Sequence, residues 1–143
     1  MKSLQQLLDG KSNRLVSIGP DQTVLDALAL LARHDIGALL VIEHGRPVGI
    51  LSERDYARKV VLQGKASRDT KVREVMSETV IAVHLAQTVE ECMAIMTDRH
   101  IRHLPVLAAD GSVAGFLSIG DLVKETISEQ TFIIGQLEHY ISH

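Results

Sequence analysis

The sequence predicts an α/β (α+β) fold: two pseudo-symmetric βαββα units packed sheet to sheet, with N- and C-terminal helices. Three observations predict it. The chain repeats itself at a nearly constant offset. Each copy runs through strand-like and helix-like apolar patterns in the same order. At 143 residues in all, each copy is too small to bury enough surface alone, and two related sheets facing each other supply the missing core.

The repeat comes first. Thr23-Val24 and Thr88-Val89 lie 65 residues apart. The same offset pairs Ala29 with Ala94, Ile36 with Ile101, Leu39 with Leu104 and Val41 with Val106. One extra residue in the second turn moves the offset to 66, and Gly45, Gly49, Leu51, Ser52 and Asp55 then match Gly111, Gly115, Leu117, Ser118 and Asp121. The chain divides on this basis into unit 1 with its entry helix (4–62), a linker (63–71), unit 2 (72–127) and a C-terminal helix (128–143).

Within each unit the elements follow in order. A short apolar strand opens it, Leu15 to Ile18 or Val80 to Val83. A capping box follows, Thr23-x-x-Asp26 or Thr88-x-x-Glu91, in which hydroxyl and acid each take up a free backbone N–H at a helix start. The helices carry Val24, Ala27, Leu28 and Leu31, or Val89, Cys92, Met93 and Met96, at helical spacing. Two strands come next: Ala38 to Ile42 and Pro47 to Leu51, or His103 to Leu107 and Val113 to Leu117. Gly45 and Gly111 supply the turns between them. A second helix opens at Ser52 or Ser118. Ala57 to Leu62 continue the first as a charged helical stretch, and Val72 to Met76 form a helical turn leading into unit 2.

Composition narrows the function classes. The chain is 45% hydrophobic but only 3% aromatic, so its core is aliphatic. A net charge of −3, a pI near 6.1 and no basic run argue against nucleic acid. The single cysteine, Cys92, allows no internal disulfide and fits a reducing cytoplasm. No apolar run is long enough for a membrane span, and the N-terminus does not read as a signal peptide.

The residues that suggest chemistry are the duplicated Ser-x-x-Asp endings. Asp55 and Asp121 fall in the first turn of a helix, where the dipole favours a carboxylate. Two adjacent ribose hydroxyls are two donors, and an ionised carboxylate only accepts. Ser52 and Ser118 cap the same helices, and their hydroxyls and the N–H groups behind them suit a ribose or phosphate oxygen. Gly49 and Gly115 let the backbone come close. One such sequence is an ordinary helix cap; two at one register point to a site.

Gly49-Ile50-Leu51-Ser52-Glu53-Arg54-Asp55 and Gly115-Phe116-Leu117-Ser118-Ile119-Gly120-Asp121 resemble the Gly-hydrophobic-x-Ser/Thr-x-x-Asp motif of CBS domains, and Arg102-His103-Leu104-Pro105-Val106 resembles the segment before that family's second strand. The resemblance covers residues 4–127. It implies a tandem pair, or Bateman module, that regulates another protein, has no chemistry of its own and binds AMP, ADP, ATP, S-adenosylmethionine or an NAD-type dinucleotide, with no required cofactor. It further implies clefts that take the Asp from one repeat and adenine-facing backbone from the other. One cleft would join Ser52, Arg54 and Asp55 to Met76, Thr79, Val80, Ile81, Arg102 and His103. The second would join Ser118 and Asp121 to Lys11, Arg14, Leu15, Val16, Ile36 and Gly37. The first is expected to be the stronger, because Arg54, Arg102 and His103 bring up to three groups suited to phosphate. The alternative is a structural scaffold with empty clefts.

Other constellations carry less. His100 and His103, and His139 and His143, have metal-like spacings without an accompanying carboxylate or thiol, so no metal site is predicted. Cys92 lies on an apolar helix face and reads as a small hydrophobe. The tail residues Ile127, Phe132, Ile133, Leu137 and Ile141 form a stripe near helical spacing. With Val60, Val61 and Leu62, they predict a homodimer.

Overall fold

In the computed structural model, residues 1–11 and 15–142 are described. The elements are α1 (Leu4–Asp9), β1 (Ser17–Ile18), α2 (Val24–His34), β2 (Ala38–Glu43), β3 (Arg46–Ser52), α3 (Glu53–Tyr56), α4 (Val72–Val75), β4 (Val83–His84), α5 (Val89–Arg99), β5 (His103–Leu107), β6 (Val113–Ser118) and α6 (Ile119–Ser142). They build two three-stranded sheets, β1-β2-β3 and β4-β5-β6. In each, the first strand runs parallel to the second and the third antiparallel.

The repeat holds down to single hydrogen bonds. Helices α2 and α5 both end on a left-handed residue, Asp35 and His100, so that Ile36 N–H reaches Leu31 O (3.1 Å) and Ile101 N–H reaches Met96 O (3.0 Å). A bulge interrupts the second strand at Val41/Ile42 and again at Val106/Leu107. Glu53 N–H donates to Gly37 O, and Ile119 N–H to Arg102 O. The start of the first helix is less symmetric. Thr23 and Asp26 form the full reciprocal box, whereas Thr88 caps Glu91 N–H one way and the Glu91 carboxylate turns to Gln87. The short opening strands are also trimmed: the first begins at Ser17 and the second at Val83, and Ser77 pairs with Ile50 on the edge of β3.

The cores are aliphatic, and the entry helices change sides. The first core gathers Ile18, Val24, Leu39, Val41, Leu51 and Val60, and α4 adds Val72 and Val75. The second gathers Val83, Val89, Cys92, Met96, Leu104, Val106, Leu117 and Leu122, and α1 adds Leu4 and Leu8. Thus α1, expected to belong to unit 1, packs on unit 2, and α4 packs on unit 1. The linker is pinned as well: Val24 N–H donates to Thr70 O, and Val72 N–H and Arg73 N–H donate to Gln22 O and Pro20 O. The two sheets meet through Ala38, Leu40 and Phe116, with Ile42, Ile50 and Val113 against them.

Two helical features differ from expectation. The separate C-terminal helix over 128–143 is instead the far half of α6, one helix running unbroken from the Ser118 cap. No proline interrupts it, and its early residue Leu122 anchors it in the second core. After α3, residues Ala57–Val61 widen into a π turn, with Leu62 N–H reaching back to Ala57 O (3.0 Å) while Val60 stays buried. Among the described residues no helix is long and apolar enough to cross a membrane.

Candidate functional site

Both Ser-x-x-Asp endings fold as helix caps. Asp121 N–H donates to Ser118 Oγ (3.2 Å), and Ser118 N–H to Asp121 Oδ2 (2.8 Å). Asp55 N–H donates to Ser52 Oγ (3.1 Å), while Ser52 N–H and Oγ–H both donate to Asp55 Oδ2 (3.0 Å each). The two carboxylates therefore start from the same local geometry. What surrounds them differs.

Beside Asp121 lies a cavity of about 370 Å³. Lys11, Val16, Ile36, Gly37, Ser118 and Asp121 line it, six of the eight residues assigned to that cleft from sequence. Of the other two, Leu15 is exposed outside the lining and Arg14 lies outside the described residues. The lining also includes Asp35, Ala38, Phe116 and His103. His103, grouped with Asp55 from sequence, thus faces the Asp121 cavity. The register explains it, since His103 pairs directly with Ser118 across β5 and β6. Its ring stacks on Phe116 with centroids 5.3 Å apart. The alternation of β6, which turns Phe116 toward the other sheet, was the available signal for this aromatic wall.

The electrostatics of the cavity centre on one ion pair. Lys11 Nζ lies 2.8 Å from Asp121 Oδ2 and 2.8 Å from Phe116 O. Burial pushes the Asp121 carboxyl up, but the Lys11 ammonium and the Ser118 N–H outweigh it and hold it below its ordinary value. His103 is shifted down, first by burial and then by the positive Lys11, against a smaller opposing pull from Asp121. Burial and the neighbouring ammonium thus disfavour the charged form of its ring.

The surroundings of Asp55 are closer packed. Lys59 Nζ pairs with Asp55 Oδ1 (3.2 Å) and donates to Val75 O (3.0 Å). Met76 covers Gly49 so tightly that a Cβ there would sit 2.5 Å from its sulfur. Ile81 packs on the second core, Val80 is half-buried, and Thr79, Arg54 and Arg102 are exposed. Ser52 and Asp55 thus meet at the end of β3 and Met76 lies over Gly49 of the same strand, whereas His103 lines the Asp121 cavity.

Cys92 is buried, and burial pushes its thiol up to about 11, so it is a packing residue. Among the described residues no three His, Cys, Asp or Glu side chains group as a metal site. His143, of the His139–His143 spacing, lies outside the described residues.

Comparison with known proteins fits this architecture. The CBS domain family matches residues 11–62 and again 72–128. The chain is 40% identical over 126 residues to the mitochondrial CBS domain-containing protein CBSX3 of Arabidopsis thaliana, covering 85% of this chain and 61% of that relative, so it spans less than two thirds of the longer protein. The crystal structure of the CBS domain protein NE2398 superposes with a TM-score of 0.81 at 50% identity, over 89% of this chain and 99% of that one. The CBS domain pair of protein MJ0100, solved in complex with 5-methylthioadenosine and S-adenosyl-L-methionine, shares the fold at a TM-score of 0.78 and 23% identity, over 90% of this chain and 98% of that one. CBS-domain proteins are generally non-catalytic regulatory modules. With two matched copies, two equivalent sheets and two Ser-x-x-Asp caps at one register, this chain belongs to the CBS-domain family as a tandem pair.

Proposed function

We propose that the chain is a regulatory module that binds an adenine nucleotide, such as AMP, ATP or an NAD-type dinucleotide, in the cavity beside Asp121. The observation that carries this reading is the make-up of that cavity. Its volume of about 370 Å³ lies within the range of small-molecule sites. Val16, Ile36, Ala38 and Phe116 offer an apolar slot for a base. Ser118, Asp121 and Lys11 offer acceptors and donors for a ribose and its phosphate. The adenosine compounds held by the MJ0100 pair belong to the class that such a slot suits. The Asp55 end, with the set Ser52, Arg54, Met76, Thr79, Val80, Ile81 and Arg102, is proposed as the weaker cleft, because Met76 and Lys59 crowd it.

Calorimetric titration with AMP, ATP, NAD and adenosine tests the reading. Ligand at a hundred times its dissociation constant should stabilise the fold by about 2.7 kcal/mol. Absence of both heat and thermal shift with every compound would favour the alternative, a scaffold with empty clefts.

A homodimer accompanies this reading, supported by the outer half of α6. Phe132 stands 64% exposed there, and Ile127, Leu137 and Ile141 are 57%, 57% and 81% exposed. Val61 and Leu62 are exposed as well, whereas Val60, grouped with them from sequence, is buried in the first core. A two-fold arrangement covers such a surface with its own copy. Sedimentation equilibrium at tens of micromolar, a range in which weak association is already populated, should show the dimer; a monomer there argues against it.

A further inference from the structure

We propose that Lys11 sets the charge selectivity of the Asp121 cavity, so that it takes an anionic adenine nucleotide in preference to a neutral or a cationic nucleoside. The proposal rests on the nucleotide reading above.

Lys11 precedes the first strand and belongs by sequence to the opposite repeat. Its ammonium nevertheless bridges Asp121 Oδ2 and Phe116 O, each at 2.8 Å. The two side chains of the pair are only 22% and 27% exposed, so solvent screens them incompletely. An ammonium has three donors. Among the described residues two are engaged, by Asp121 and Phe116, which leaves one for a ligand. When ribose hydroxyls donate to Asp121, the Phe116 carbonyl still holds the ammonium in the cavity, next to where the sugar carries its 5′ substituent.

Among the described residues, the charged groups in the lining are Lys11, Asp35 and Asp121, and His103 is the remaining titratable one. Asp35 is exposed at the left-handed end of α2, so its carboxylate is screened. Among the described residues, Lys11 is thus the cation that balances Asp121 at the inner end of the cavity. The residue at the same register in the other repeat is Met76, and there the cation beside Asp55 comes instead from Lys59 on the same helical segment. At the Asp121 cavity Lys11 delivers a compensating charge across the repeat boundary. That makes position 11 a specificity residue and not a general part of the cap.

Titrations of adenosine, AMP and 5′-amino-5′-deoxyadenosine against wild type, Lys11→Met and Lys11→Arg test this. Wild type should bind AMP about tenfold more tightly than adenosine, in line with one charge-assisted hydrogen bond. Lys11→Met should remove that preference, leave adenosine within about threefold, and favour the cationic amine over AMP. Lys11→Arg should keep most of the AMP preference. On wild type alone, the AMP-to-adenosine ratio should shrink as ionic strength rises, a readout that stands even where Lys11→Met folds poorly. Equal weakening of all three ligands by Lys11→Met, or a ratio indifferent to salt, overturns the proposal while leaving the nucleotide reading in place. Failure of wild type to bind any of the three overturns both.

Discussion

The entry segments of the two repeats occupy equivalent places and do different things there. In one, α1 leads to Lys11, which reaches into a cavity and holds Asp121 by an ion pair. In the other, α4 leads to Met76, which lies tightly on Gly49, while the carboxylate of Asp55 pairs with Lys59. The backbone frame is the same: the same Ser-x-x-Asp caps, the same left-handed helix ends, the same bulges. The contrast teaches that one backbone frame can carry different side chains at the same register: Lys11 reaches Asp121 beside a cavity, whereas Met76 packs on Gly49.

The largest effect that bears on this comparison concerns the entry helices themselves. Leu8 is fully buried in the second core although it lies close to the N-terminus. Leu8→Ala should therefore cost about 2–5 kcal/mol, as core truncations do, and should do so in urea unfolding of the whole chain. A loss under about 0.5 kcal/mol, normal for a surface change, would mean that α1 is not held on unit 2.

Binding discriminates the clefts next. Asp121→Ala should weaken AMP by about 1.5–3 kcal/mol, the worth of a hydrogen bond to a charged group, and Asp55→Ala should have a much smaller effect. Calorimetry that finds the reverse order would return the main site to the cleft with Asp55, which the sequence alone favoured.

Gly49→Ala sharpens the same contrast on the closed side. Its new methyl would meet the Met76 sulfur at 2.5 Å and the Ser77 carbonyl oxygen at 3.0 Å. Overpacking of this kind costs about 1–3 kcal/mol. Pairing it with Met76→Ala should recover part of the loss, and a double-mutant cycle with no coupling would show that the sulfur does not fill that cleft.

The smallest effect is a pH dependence from the open side. The folded state lowers the His103 pKa below its reference value of 6.5. The unfolded chain then binds the proton more readily, so stability is full above that value and declines as pH falls through it toward the folded pKa. His103→Phe should flatten this slope, measured by thermal unfolding across the weakly acidic range. An unchanged slope would place the titration elsewhere.

Much of this was legible in sequence because it is local. Thr23, Ser52 and Ser118 announce helix starts through bonds to residues three positions on, and the alternation of strands needs no tertiary partner to be read. The repeat then supplied the pairing of the units. Features that depend on a distant partner were not legible. Nothing in Leu4 and Leu8 says which core they enter. The direction of His103 follows from its pairing with Ser118, which fixes the side of the sheet it faces. The site residues divided along the same line: Asp121 and Lys11 were named from sequence as members of one cleft, but their ion pair, and the packing of Met76 on Gly49, required the packed structure.

The exchange of entry helices has a consequence for how the chain is made. Synthesis releases α1 first, yet the residues that bury Leu4 and Leu8 run from Val83 to Leu122. The first unit, meanwhile, cannot complete its core until Val72 and Val75 have left the ribosome. The helix born first must therefore wait, apolar face uncovered, through the folding of its own repeat and most of the synthesis of the next. Domains generally fold as units in order of emergence; here the order is interlocked, and a ribosome stalled once α4 has emerged would hold a closed first unit with α1 still uncovered.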